Sequence, residues 1–396
     1  VPILSHRHFI RATVVNFFFF ASLNGLMLFP LHIEQLGGTA VEIGVIMGIY
    51  SAVGIVSQPL LGPWIDALGR RPFMLFGIGM VWGSSLLAAL TNALGWLVVV
   101  RALQGLGFSA FFVANFAYII DLAPPAERGW ALGVYGVSGL VSAALAPLLG
   151  ELIVRRFGFR PLFVLSAALA TVAGVLARSL RERRRDLGQP VRGAEWMRLS
   201  FGELLRLHMT VAFFFGLGTG TIATFVPTFA ESIGVPTLAL FYTAYAVAAM
   251  MVRVLGGRLI DTMGRRAVIV PSMFGLTGAA ALLALLGLAG RGSGVPAPLI
   301  LLTTAGLVGG AAHGFLYPGL AALVTDQAAP LHRGAVVGVF SAVVLFGQAT
   351  GAFLFGYVVH AFDYGAMWSA LTALLLAGAG LSLRLSGDTP LRAAVA

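Results

Sequence analysis

Apolar stretches of 20–28 residues follow one another along the 396-residue chain, separated by short segments that carry polar, glycine or proline residues. An amphipathic helix would interrupt them every third or fourth position and a half-buried strand every second; these runs are apolar all round. They fall at residues 9–33, 41–65, 72–91, 95–121, 130–154 and 160–179, then at 207–231, 236–260, 267–289, 298–325, 334–358 and 364–386. A hydrocarbon layer about 30 Å thick asks for roughly 20 such residues in helical form. Only helices and closed barrels satisfy their backbone there, and the ten-residue alternation of a barrel strand is missing. The pattern predicts an all-α membrane protein of twelve transmembrane helices. Its one long polar segment, 180–206, separates an N-terminal six-helix bundle (1–179) from a C-terminal one (207–396). In that cytoplasmic linker, Trp196 and Met197 fit a short amphipathic stretch on the membrane surface.

Composition narrows the classes. Only 10% of residues are charged and 59% are hydrophobic, against about 25% charged in soluble domains. The absence of cysteine excludes disulfides, thiolate metal sites and iron–sulfur clusters. A net charge of +10, all of its cations arginine, would fit a nucleic-acid partner were the arginines not gathered at span ends. With a cytoplasmic N-terminus, the inner side holds Arg7, Arg11, Arg70, Arg71, Arg128, Arg178, the linker set, Arg258, Arg265, Arg266, Arg333, Arg384 and Arg392. The outer side keeps Arg155, Arg156, Arg160 and Arg291. Excess arginine marks cytoplasmic loops, so both termini are expected inside, in a bacterial inner membrane, with lipid and not nucleic acid as the partner. The opening residues lack the pattern of a cleaved leader, and the first span is expected to be retained. There is no His/acid cluster at metal spacing, no G-x-S-x-G elbow and no phosphate-binding loop. Neither catalysis, a cofactor, a metal nor ATP drive is expected.

The halves repeat each other. Gly62-x3-Asp66-x2-Gly69-Arg70-Arg71 recurs 195 positions later as Gly257-x3-Asp261-x2-Gly264-Arg265-Arg266. Asp121-x6-Arg128-Gly129 recurs 205 positions later as Asp326-x6-Arg333-Gly334, and Pro30-x3-Glu34-x2-Gly37 recurs 197 positions later as Pro227-x3-Glu231-x2-Gly234. Parallel repeats of six spans place a binding site between halves, near mid-membrane.

These motifs resemble the major facilitator superfamily over the whole chain. The doubled G-x3-D-x2-G-R-R loop is its most specific signature. Arg101-x2-Gln104-Gly105-x-Gly107 in span four is similar to the R-x2-Q-G-x-G motif of proton-linked members. Span five reads Gly136-x2-Gly139 and Ala146-Pro147-x2-Gly150-Glu151 where efflux members show G-P-x2-G-G, a partial match. The resemblance implies alternating access and leans towards export of drug or sugar type by a monomer. An importer or facilitator of sugars or organic acids is the alternative, and a membrane-embedded enzyme or receptor on the same scaffold is the alternative of another class.

Physical reading adds candidate roles. Gly62 and Gly257 permit close helix approach. Asp66, Arg70 and Arg71, with Asp121 and Arg128, can form a cytoplasmic ion-pair network that breaks between states, as can Asp261, Arg265, Arg266, Asp326 and Arg333. Arg101 lies inside span four, where a charge needs a partner or a wet cavity; Arg253 is close enough to a helix end to snorkel. No carboxylate falls at mid-membrane, and span one offers Asn24 where exporters of this family keep an acid. Proton coupling then rests on a Glu34–Arg101 pair or on His313, whose type titrates near neutrality; the plainer readings are a solvated helix end and a hydrogen-bonded core histidine. By resemblance, spans one, four, seven and ten line the cavity, offering Asn24, Asn115, Tyr118, Thr221, Thr224, Phe225, His313 and Tyr317. Neighbouring spans add Tyr135, Tyr242, Tyr245 and Gln348. Amide and aromatic groups with few charges suit a neutral or amphipathic organic substrate.

Overall fold

The computed structural model describes residues 7–123, 128–181, 203–235, 237–289, 297–326 and 333–385. For 63, 66, 128–130, 132, 203–205, 256–262, 297, 325–326 and 333–337 it describes the backbone alone. The described residues are helical with no strand. In chain order the helices are α1 (Arg7–Asn24), α2 (Phe29–Gln35), α3 (Ala40–Leu68), α4 (Arg70–Leu90), α5 (Leu94–Leu122), α6 (Arg128–Phe157) and α7 (Phe159–Arg178). Then come α8 (Glu203–Ser232), α9 (Ala239–Thr262), α10 (Arg265–Ala289), α11 (Ala297–Asp326), α12 (Arg333–Ala361) and α13 (Tyr364–Ser382). Among the described residues eleven segments are long and apolar enough to cross a membrane, one of them α1 and α2 together, and α9 adds the shorter apolar stretch Ala239–Leu255. Leu60, Trp64, Val175, Leu255 and Leu288 are more than half exposed on helix surfaces, a placement that hydrocarbon and not water rewards.

The first span is two helices and not one. Pro30 has no N–H to give and its ring crowds the carbonyl one turn back, and residues Gly25–Leu28 tighten into a 3-10 turn before α2 starts with the proline in its first turn. Pro227, at the equivalent place in the repeat, stays inside the continuous helix α8.

Two compact units emerge, residues 1–37 with 49–192 and residues 38–48 with 193–396. In the first, α1 packs on α6 and α7, and α4 packs on α5 and α7. In the second, α8 packs on α12 and α13, and α10 packs on α11 and α13. The first turns of α3 belong to the second unit, where Gly44, Gly48 and Gly356 let them lie against α12. Residues 182–202, most of the expected linker and its amphipathic stretch, lie outside the described residues.

The repeat motifs have a backbone cause. Gly37 and Gly234 hold φ of +84° and +75°, and Gly69 and Gly264 hold +103° and +90°. These are left-handed conformations that only glycine adopts without strain, so each repeated glycine turns the chain between two helices. Gly105 and Gly107 of the span-four motif serve packing instead. A Cβ on Gly105 would strike the Tyr50 carbonyl on α3, and one on Gly107 would strike Gly77 on α4. Gly310, 205 positions after Gly105, meets the carbonyl of Tyr245, 195 positions after Tyr50, in the same way. At Gly62 no described atom lies within 4 Å of a Cβ position, so the close approach expected there is not made by the described residues.

Candidate functional site

Each unit holds an arginine inside a span beside one of these repeated tyrosines. In the first unit Arg101 is 8% exposed. Its Nη1 donates to Gln104 Oε1 at 3.0 Å, one helical turn on. The guanidinium carbon sits 4.6 Å from the centre of the Tyr50 ring and 5.7 Å from that of Phe29, within cation–π range. Arg101 Nε and Gln104 Nε2 are buried and have no hydrogen-bond partner among the described residues. Glu34 is exposed near the end of α2, and the hydrogen bond and rings named here are the contacts of Arg101. The expected Glu34–Arg101 pair is therefore not formed in this structure, where the Phe29 ring and not the carboxylate lies against the guanidinium.

In the second unit Arg253 does not reach for the helix end. It lies nine residues before the end of α9, about 13 Å along the axis, and within electrostatic reach of Tyr245, His313 and Tyr317. Its Nε is buried without a partner among the described residues, as is Nδ1 of His313. The imidazole packs 5.3 Å from Phe215 and 5.6 Å from Tyr245, ring centre to ring centre, and Tyr317 packs 5.6 Å from Phe340. The snorkelling expected of Arg253 is corrected by these neighbours.

The other expected cavity residues divide by exposure. Tyr245, His313, Tyr317 and Gln348 are half-buried and present surface. Asn115, Thr221 and Phe225 are fully buried, and Asn24, Tyr118, Tyr135, Thr224 and Tyr242 nearly so. Asn115 Nδ2 donates to Asn16 Oδ1 at 3.3 Å and to Tyr135 Oη at 3.0 Å, and Asn16 Nδ2 donates to Ser138 Oγ at 2.8 Å. Asn24 Nδ2 donates to Ser142 Oγ at 2.9 Å. These amides join α1, α5 and α6 inside the first unit, so in this structure they are structural cross-links rather than cavity wall. Thr221 Oγ1 donates to its own helix at Leu217 and faces Gly351 of α12, and Tyr118 Oη donates to the Arg181 carbonyl. Asn16, Ser138 and Ser142 escaped the sequence reading because single small polar residues at 3.6-residue spacing look like ordinary membrane packing.

At the other end of α3, Arg70 Nε donates to Asp121 Oδ2 at 3.3 Å and its Nη1 to the Ile65 carbonyl at 2.9 Å. Arg266 Nη2 donates to the Leu383 carbonyl at 2.8 Å. The side chains of Asp66, Arg128, Asp261, Asp326 and Arg333, and the surroundings of Gly257, lie outside the described residues. A separate cleft of about 440 Å³ in the first unit is lined by His32, Gln35, Asn92, Phe159, Arg160 and Phe163, with Leu36 and residues 88–90.

Twice-repeated helices with exposed leucines on their surfaces, and in each unit one arginine inside a span, define a multi-pass membrane protein built on internal symmetry. Comparison fixes the family: the description Major Facilitator Superfamily matches residues 12–303 and again 209–394, and the chain belongs to that superfamily of transporters, which are not enzymes. It is 34% identical over 135 residues to the inner membrane transport protein YajR of Escherichia coli, covering 34% of this chain and 29% of YajR. It is 30% identical over 124 residues to multidrug resistance protein 3 of Bacillus subtilis, covering 31% of this chain and 24% of that protein. These two matches thus span less than a third of the relatives' lengths. A longer match, 27% identical over 296 residues, is to multidrug resistance protein MdtG of Citrobacter koseri, covering 69% of this chain and 71% of MdtG. Among solved structures, a mutant form of nucleoside transporter NupG superposes with a TM-score of 0.80 at 14% identity, covering 96% of this chain and all of that one. The human organic anion transporter MFSD10 superposes with 0.71 at 18% identity, covering 96% of this chain and 100% of that one. At such identities the likeness is one of fold.

Proposed function

We propose that this transporter exports small organic molecules from a bacterial cell by alternating access, coupled to protons, as a monomer with both termini in the cytoplasm. The observation that carries the reading is Arg101, a cation inside a span in the R-x2-Q-G-x-G segment, held by Gln104 and the faces of Tyr50 and Phe29. Two relatives are named for multidrug resistance, which supports export and a substrate range set by aromatic and amide surfaces. Arginine at span ends supports the orientation.

Purified protein in liposomes with an internal pH dye tests this against lipophilic cations, neutral drugs, sugars and organic acids. Proton movement that needs both the protein and one compound class is the expected result. Compounds crossing with no proton movement would favour the facilitator reading, for which Asn24, an amide tied to Ser142 in place of an acid, is the supporting observation.

The Arg70–Asp121 pair supports a cytoplasmic gate. Both side chains are largely buried, and a partnered charge that loses its partner costs far more than an exposed pair gains. Asp121→Asn keeps the Arg70–Ile65 bond and loses the ion pair. In this cysteine-free chain, a cysteine probe in place of Ser57, which is buried in α3, is expected to react with maleimide several-fold faster when Asp121→Asn is present. A rate within twofold of the parent would remove the gating role.

A further inference from the structure

The two units share a frame and fill it differently. Tyr50 lies against Phe108 at 5.6 Å between ring centres, and Phe108 stacks on Phe112. At the corresponding offsets of 195 and 205, Tyr245 lies against His313 at 5.6 Å, and Tyr317 takes the place of Phe112. Gln58 in the first unit becomes Arg253 in the second. Three polar heads, a guanidinium, an imidazole and a phenol, thus stand where the first unit has an amide and two phenyl rings. The first unit packs without them, so packing does not require them.

Among the described residues the charge of Arg253 also has no counter-ion. From residue 207 to 386 the acids are Glu231, Asp261, Asp326 and Asp363, all at helix ends. No carboxylate lies in the interior of these six spans to pair Arg253, whose Nε is buried without a partner among the described residues. A charge at that depth is retained where it meets a counter-charge or a wet cavity. Arg253, Tyr245, His313 and Tyr317 are each half-buried, so the cluster presents surface. A guanidinium recognises planar oxyanions by its fork of donors, the phenols donate beside it, and the rings offer stacking faces.

We infer that Arg253, with Tyr245, His313 and Tyr317, forms an anion-recognition site in the second unit that takes the carboxylate or sulfonate of an aromatic organic monoanion. One arginine balances one negative charge; a dianion would leave its second charge unpaired. The inference deepens the export reading and rests on it for the site's place in transport.

The test uses full-length protein in nanodiscs of zwitterionic phosphatidylcholine, which removes anionic lipid as a competing source of the charge. Equilibrium dialysis compares 1-naphthoate with its neutral counterpart 1-naphthylmethanol. The parent is expected to prefer naphthoate about tenfold or more, the value of a charge-assisted hydrogen-bonded contact. Arg253→Gln installs the first unit's own residue and is expected to erase that preference while leaving naphthylmethanol binding within twofold. His313→Phe, again the first unit's residue, is a second variant built to fold, expected to weaken naphthoate several-fold. Arg178→Met, which removes an exposed arginine at the end of α7, is expected to leave the preference intact. A parent with no preference, a preference that survives Arg253→Gln, or one lost through Arg178→Met instead would each overturn the site. Naphthoate binding in a protein that moves no compound in liposomes would sink export and leave the site standing. Transport of neutral compounds by a parent without the preference would do the reverse.

Discussion

Valine at Gly310 is expected to prevent the second unit from assembling. Helices α9 and α11 approach so closely there that a Cβ on Gly310 would overlap the carbonyl oxygen of Tyr245, with that residue's Cα and carbonyl carbon at 2.7 Å. These are backbone atoms, so no rotamer change relieves the clash, and the helices must separate along their contact. Overpacking costs typically 1–3 kcal/mol where side chains can yield; here about 3 kcal/mol or more is expected, because packing is the main force between membrane helices. Gly105→Val should act alike in the first unit, where Tyr50 supplies the carbonyl. Gly278 on α10 has no described atom within 4 Å of its Cβ position, and Gly278→Val is expected to shift the thermal midpoint little. The check is the yield of monodisperse protein and its melting in detergent. A Gly310→Val protein that melts within a degree or two of the parent would show that the helices are free to part.

The number and placement of spans were legible because hydrocarbon is a demanding solvent: a run of some twenty apolar residues has few alternatives. The turns between α3 and α4 and between α9 and α10 were legible as repeated glycines, and their positive φ explains the repetition. The 3-10 turn at Gly25–Leu28 was not. Pro30 signals a possible break, yet Pro227 carries the same signal inside an unbroken helix, so the outcome depends on neighbours that sequence does not name. The same limit governs the glycines. Helices apolar all round show no preferred face, and nothing local separates Gly62, with no described atom within 4 Å of its Cβ position, from Gly310, which meets backbone there.

The site was legible one helix at a time. Arg101, Gln104 and Gly105 stood out as a spaced motif on one helix, but Tyr50 and Phe29, the rings that hold the cation, come from others. Tyr50 was recoverable: it lies 195 positions before Tyr245, which had been singled out as a cavity residue. Asn24 and Asn115 were expected on a cavity wall because amides deep in spans attract functional readings. Their hydrogen bonds to Ser142, Asn16 and Tyr135 spend them on cross-linking instead. Arg253 erred in the opposite direction, its nearness to Gly257 in sequence suggesting an interface when its neighbours are His313 and two tyrosines.

Methionine at Arg101 is expected to abolish uphill transport with little loss of stability, and this pairing of effects is what identifies the role. Removing a buried charge gives up cation–π attraction to Tyr50 and Phe29, of about 2 kcal/mol where water is excluded, but it also removes the cost of keeping that charge out of water, and such exchanges often come out near neutral. The hydrogen bond lost at Gln104 leaves one buried carbonyl oxygen short, about 1 kcal/mol or a little more. A thermal midpoint within a few degrees of the parent follows. Transport is different, since a cation that answers a proton or a substrate acts through its charge and methionine supplies none. A loss of the order of a hundredfold corresponds to about 3 kcal/mol of charge-assisted interaction. Arg101→Lys keeps the charge but not the planar fork that meets Gln104 and lies over the ring, and should fall between, at roughly a tenfold loss. Proteoliposomes with an imposed pH gradient separate the cases: Arg101→Met transporting uphill within twofold of the parent would make this arginine a packing residue, and the proton-linked reading would lose its support.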